Sequence, residues 1–145
     1  MATWRQDERG EITVFLVLIF FALFAFGGLV YDGGNALAAK RRAMNEAQAA
    51  ARAGADQYDE DVYRTTGVVV VDCGKATGAA DSYLQDHTAH FNGATSVTCP
   101  DTQTVKVTLQ FSQPMSMLGM VDITNLTING DGTARNAHGI VAEGQ

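Results

Sequence analysis

Twenty consecutive residues, Ile12–Tyr31, carry no charge, and this run constrains the fold more than any other feature of the chain. The stretch ITVFLVLIFFALFAFGGLVY holds one hydroxyl, Thr13, and five Phe; it ends in Tyr31, with Trp4 on its other flank. As a helix rising about 1.5 Å per residue it is about 30 Å long, the thickness of a bilayer's hydrocarbon core. A helix that is apolar on every side needs lipid or a large protein around it. With 145 residues the chain can form one ordinary domain besides this element, which is too little to bury it. The run therefore predicts a transmembrane helix over residues 12–31, preceded by a short segment, 1–11. The competing reading is a cleaved secretory signal. Arg5 and Arg9 would be its basic end and Ala36-Leu37-Ala38 its cleavage site, with Ala39 first in the mature chain. The run is longer than the roughly 7 to 15 apolar residues usual in such a signal, which favours a retained anchor.

Composition narrows the rest. At 46% hydrophobic the chain is not a disordered polymer, and it has neither a Gly-X-Y nor a heptad repeat. Its net charge of −6 argues against a nucleic-acid partner, because phosphate neutralisation needs clustered Lys and Arg. The one basic cluster, Lys40-Arg41-Arg42, follows the apolar run closely, which makes membrane lipid headgroups its nearer partner. Counting basic residues alone, two before the span and three after it, weakly favours a cytoplasmic C-terminal side. The cysteines argue the other way. Cys73 and Cys99 are the only two, with no C-x-x-C spacing and no His within four residues of either. A structural disulfide in an oxidising compartment is the reading that follows, and it puts the C-terminal domain outside the cytoplasm and the N-terminus inside.

Beyond the span, Ala36, Ala39, Ala43, Ala47, Ala50 and Gly54 recur at three- and four-residue steps and form a seam of small side chains along one helix. This Ala-rich segment, residues 32–58, continues the spanning helix outside the membrane, with Gly27-Gly28 and Gly33-Gly34 as points where it can bend. The seam admits either a neighbouring helix or the chain's own domain. Residues 59–145 form that domain. Gly67–Val71 reads as a short strand, and Asp72 is placed to cap a helix starting near Lys75. Thr95–Cys99 and Thr104–Phe111 read as strands. Residues 123–137 read as a hairpin turning at Asn129-Gly130-Asp131-Gly132. The fold class is α+β: a long N-terminal transmembrane helix, then a small domain with a helix packed on an antiparallel sheet.

Catalytic and cofactor chemistry finds little support. Gly74-Lys75 lacks the remainder of a phosphate-binding loop. His87 and His90, with Asp86, want a third metal ligand, and Asn129–Gly132 lacks the final Glu of a calcium loop. The expectation is no catalytic residue, no metal, no cofactor and no small-molecule substrate. Met115, Met117, Leu118 and Met120 stand together between strands, as either an adaptable partner surface or a plug for one end of the sheet.

The stretch Glu8-Arg9-Gly10-Glu11-Ile12-Thr13-Val14-Phe15, the apolar span, then Val30-Tyr31-Asp32-Gly33-Gly34 and the Ala-rich helix through Ala55 resembles the N-terminal region of TadE/TadG-like pilus-assembly proteins. The resemblance implies a minor pilin or pseudopilin-like component of a tight-adherence (Flp) pilus system: a single-pass cell-membrane protein with a cytoplasmic N-terminus and an extracytoplasmic domain. Its partners would be membrane lipid and other pilus or pilus-assembly proteins, met through helix packing. The resemblance also implies a candidate processing point between Gly10 and Glu11. The fifth residue past that point is Phe15, where pilin-like substrates carry Glu, and relatives that stay uncut in the membrane fit better. A secreted binding domain and a membrane-tethered extracytoplasmic enzyme are the alternatives.

Overall fold

The computed structural model describes residues 8–87 and 94–136. Three helices precede a three-stranded sheet: α1 (Glu8–Ala55), α2 (Glu60–Thr66), α3 (Cys73–His87), β1 (Ala94–Thr98), β2 (Thr104–Pro114) and β3 (Asn125–Arg135), with a 3-10 turn at Leu118–Val121. The fold is α+β. The chain forms two compact units, one of Met1–Asn35 with Pro114–Asn125 and one of Ala36–Gln113 with Leu126–Gln145, and α1 contributes to both.

In the first unit, α1 is apolar all round from Ile12 to Tyr31, and it is long and apolar enough to cross a membrane. The helix is unbroken through Gly27, Gly28, Gly33 and Gly34, the points at which the sequence allows it to bend. A helix hydrogen bond forms at glycine as at any residue; what glycine lacks is the entropic preference to stay there. The other part of this unit is the connection between β2 and β3, closed at its base by the Met115 N–H donating to the Thr124 carbonyl at 2.9 Å.

In the second unit the caps follow the sequence. Asp59 accepts from the backbone N–H groups of Asp61 and Val62 and starts α2, and Gly67, at φ 69°, ends it in the left-handed conformation. Asp72 accepts from the N–H groups of Gly74 and Lys75 at the start of α3. The sheet order is β1-β2-β3. β1 and β2 are antiparallel, with Ala94 opposite Gln110 and Thr98 opposite Lys106. β2 alternates cleanly and buries Val105, Val107, Leu109 and Phe111. Val105, Val107 and Leu109 meet Ala47, Ala50, Ala51 and Ala55 of α1 and Ala76, Ala80 and Leu84 of α3 in one core. Ala43, Phe111 and Ile128 form a second cluster, with Ala36 and Ala39 packed against it.

Two expectations need correction. The run Gly67–Val71 is not a strand of the sheet. It joins the end of α2 to the start of α3, and only Val71 forms a bridge, to Tyr58. The backbone around it bonds to connecting segments instead: the Asp59 N–H donates to the Val70 carbonyl, and the Val71 N–H to Thr102. Residues 125–135 are likewise one continuous strand and not a hairpin. Ile128, Gly130, Gly132 and Ala134 are its buried positions, at strict period two. The two glycines face α1: a Cβ on Gly130 would lie 2.5 Å from the carbonyl carbon of Ala43, and one on Gly132 would fall on the backbone of Ala47 and Gln48. They are glycines for close approach, which turn chemistry mimics in sequence.

Candidate functional site

Asp32 is the buried charged residue of the described chain, 1% exposed. It closes the last turn of the apolar stretch. Its Oδ1 accepts from the Ser116 N–H at 3.1 Å, and its Oδ2 accepts from the Met117 and Leu118 N–H groups at 2.8 and 2.7 Å. Three successive amides pointing at one carboxylate form an anion nest, satisfied here from within the chain. Burying a carboxylate is costly without such partners. Asp32 therefore pins the connection between β2 and β3 to the end of the apolar stretch. Sequence reasoning placed Asp32 only inside a D-G-G motif and missed this role. The available signal was an acid directly after an uncharged run, where a charge needs either water or a dedicated partner.

Below the clamp the connection lies on the helix. A Cβ on Gly28 would come within 2.9 Å of the Met117 Cβ, so the glycine makes room for the loop. A groove of about 200 Å³ runs between Phe21, Phe24, Ala25 and Gly28 on one side and Met117, Leu118 and Met120 on the other. This is smaller than the roughly 300–1,000 Å³ of small-molecule sites. The four residues of the expected partner surface divide: Met115 is buried at 9%, Leu118 is half-buried, and Met117 and Met120 are exposed at 38% and 66%.

The small-residue seam lies in the second unit. Ala43, Ala47 and Ala50 are wholly buried, and Gly54 meets the backbone of Ala76 and the side chain of Val105. Ala36 and Ala39 are partly covered. Beside the seam, Gln48 donates its amide to the Thr133 carbonyl at 2.8 Å and accepts from the Thr133 N–H at 3.3 Å. It thereby occupies backbone groups of β3, an edge strand. Asn136 donates to the Ala55 carbonyl at 2.9 Å and caps the end of α1.

Cys73 and Cys99 form a disulfide, with Cα atoms 6.1 Å apart, which ties the first turn of α3 to the residue after β1. Asp72, beside Cys73, has its carboxyl held below the usual range by the Lys75 N–H first, then by the Lys75 ammonium and the Gly74 N–H, against partial desolvation. Asp101, between β1 and β2, is lowered chiefly by the Gln103 N–H and the Thr104 hydroxyl.

His87 stacks on Tyr83 with ring centroids 4.2 Å apart, its Nδ1 is 2.9 Å from the Tyr83 carbonyl, and His90 lies outside the described residues. Among the described residues no three His, Cys, Asp or Glu side chains could hold a metal ion together. Gly10 and Glu11 lie in the first turn of α1.

These features define a class: an α+β protein led by one helix of membrane-crossing length, with a clamp at the end of its apolar stretch and a disulfide-stapled unit beyond. Within that class, residues 10–57 match the model of the Tad family, described as Flp pilus-assembly TadE/G-like, and the resemblance read from residues 8–55 agrees with that match. No curated protein and no solved structure matches the chain.

Proposed function

We propose that the chain is a membrane-anchored structural component of a Tad/Flp-type pilus assembly system, of the minor pilin or pseudopilin-like kind. The observation that carries this reading is the coincidence of the TadE/G-like match at residues 10–57 with a helix long and apolar enough to cross a membrane. The N-terminus is cytoplasmic and the disulfide-bearing unit extracytoplasmic, because disulfides persist in oxidising compartments. The role is structural and not catalytic, as the matched family is one of pilus assembly. Because Ala43, Ala47 and Ala50 are already covered by the chain itself, helix packing with other pilus proteins falls to the stretch before Ala43.

The structure also supports the retained anchor over signal cleavage. A cut after Ala38 would remove Asp32, and with it the acceptor of three backbone N–H groups in the connection. The test is the intact mass of the protein from its native host, with and without reduction. A mature start at Glu11 marks a processed subunit bound for a filament or its tip, and a start before Gly10 marks a membrane-resident assembly factor. A start at Ala39 refutes the anchor. Reduction should add two protons.

A further inference from the structure

We propose that the segment Met115–Ile123 is itself a lipid-contacting element: it enters the headgroup–acyl boundary of the membrane beside the end of the span, and acyl chains fill the groove between Met117, Met120 and Phe21, Phe24. The inference rests on the anchor reading above, and three observations within the first unit lead to it.

Position comes first. Met117 sits on Gly28, three residues before Tyr31, and the groove reaches Phe21, ten residues before it. At about 1.5 Å per residue these lie about 5 and 15 Å inside the end of a span at Tyr31. A bilayer leaflet's apolar half is about 15 Å deep. The contact of Met117 with Gly28 therefore lies at a depth of about 5 Å, within the range of about 5–10 Å typical of interfacial elements.

Chemistry agrees with position. The segment reads MSMLGMVDI, and Met120 and Ile123 are exposed at 66% and 51%. They continue the exposed apolar surface of Phe21 and Phe24. Its one charge, Asp122, stands at the end of the 3-10 turn.

Backbone satisfaction is the third and most specific observation. An irregular segment leaving water must find partners for its own amides. The N–H groups of Ser116, Met117 and Leu118 go to Asp32. Those of Met115, Met120, Asp122 and Ile123 go to the carbonyls of Thr124, Met117, Gly119 and Leu118. A loop exposed to water would have no need of a buried carboxylate for this. Asp32 is thus the positioning residue that lets the loop enter the interface.

Trp4 is the one tryptophan, so a Trp4→Phe chain carrying Met120→Trp reports on the loop alone. The purified chain is placed in phosphatidylcholine vesicles with bromine at upper, middle or terminal acyl carbons. The expected result is a blue-shifted emission that is lost most with bromine at the upper carbons and is insensitive to aqueous iodide. Ile123→Trp, also at an exposed position, should behave alike and guards against a misfolded variant. Iodide quenching without bromolipid quenching puts the loop in water and overturns the proposal. Insensitivity to both quenchers means that a second copy or another protein covers the loop, and overturns it equally. Phe20→Trp, in mid-span, separates this from the anchor reading: it must lose emission with bromine near the chain ends, and its failure to do so removes the anchor and the proposal together. If Phe20→Trp is quenched and Met120→Trp and Ile123→Trp are not, the proposal alone fails.

Discussion

Replacing Gly130 with Ala adds one methyl group where α1 leaves no room for it. The new Cβ would lie 2.5 Å from the carbonyl carbon of Ala43, 2.6 Å from its Cβ and 2.8 Å from its oxygen. Nonbonded carbons rest at about 3.5–4.0 Å, so strand and helix have to part by about 1 Å. No rotamer change absorbs this, because the opposing atoms are helix backbone and an Ala methyl. Overpacking a filled site costs about 1–3 kcal/mol, and a rigid opposite wall puts this case near the top of that range. The smaller entropy lost by Ala than by Gly on entering a strand returns about 0.5–1 kcal/mol, for a net loss of about 2 kcal/mol.

The assay is reversible urea unfolding of the micelle-bound chain with its disulfide intact, followed by the near-ultraviolet circular dichroism of Tyr58, Tyr63 and Tyr83. With a slope of about 2 kcal/mol per molar urea, the midpoint should fall by about 1 M. Gly132→Ala, which meets the backbone of Ala47 and Gln48, should cost at least as much. The double variant should cost less than the sum, since one parting of helix and strand accommodates both methyls. An unchanged or raised midpoint for Gly130→Ala would refute the argument that these glycines exist for close approach.

Gly33→Ala is the counterpart. Its Cβ meets nothing within 4 Å, so the helix should gain up to about 1 kcal/mol, read as slower amide exchange around residue 33. Reducing the Cys73–Cys99 bridge, whose sequence separation is 26, should lower the stability of the second unit by about 3–4 kcal/mol on the chain-entropy model, seen as a lower urea midpoint under dithiothreitol. Asp32→Ala should accelerate hydrogen exchange at Ser116, Met117 and Leu118 while leaving Val105 and Val107 protected; unchanged exchange at the three amides would break the clamp. The lowered carboxyls of Asp72 and Asp101 stabilise the fold above their unfolded value of about 3.9, and this contribution is lost as pH falls through the still lower folded values. The urea midpoint should therefore drop as pH is taken below about 4, and less steeply for Asp72→Asn.

Much of this architecture was legible because side-chain pattern and backbone demand coincided. The uncharged run from Ile12 to Tyr31, the fault-free alternation from Thr104 to Phe111 and Asp72 ahead of α3 each state locally what they become. The failures share a different cause. Val68–Val71 has the β-branched composition of a strand, but its backbone partners lie in loops at residues 57–59 and at Thr102, and nothing local records that. Asn129–Gly132 has the composition of a turn, yet its glycines alternate with exposed Asn129, Asp131 and Thr133. Period two was present in the pattern; glycine's stronger association with turns hid it.

Residues 10–57 hold the α1 half of each main contact along that helix: the Asp32 carboxylate, the backbone at Ala43 and Ala47 with the Ala43 methyl, and the Gln48 amide. The other half lies outside the match and is largely backbone. Asp32 takes the amides of Ser116, Met117 and Leu118, Ala43 and Ala47 meet the bare backbone of Gly130 and Gly132, and Gln48 pairs with the peptide groups of Thr133. An amide N–H is supplied by every residue except proline, so residues 116–118 and 133 could change identity without losing these bonds. A helix that recognises backbone can thus hold a C-terminal partner that tolerates change at residues 116–118 and 133, whereas positions 130 and 132 have to stay glycine. On this account Ser116→Ala should leave the clamp intact, whereas Met117→Pro, which removes one N–H, should disrupt it; equal hydrogen-exchange profiles for the two variants would show that side chains, and not amides, hold the connection in place.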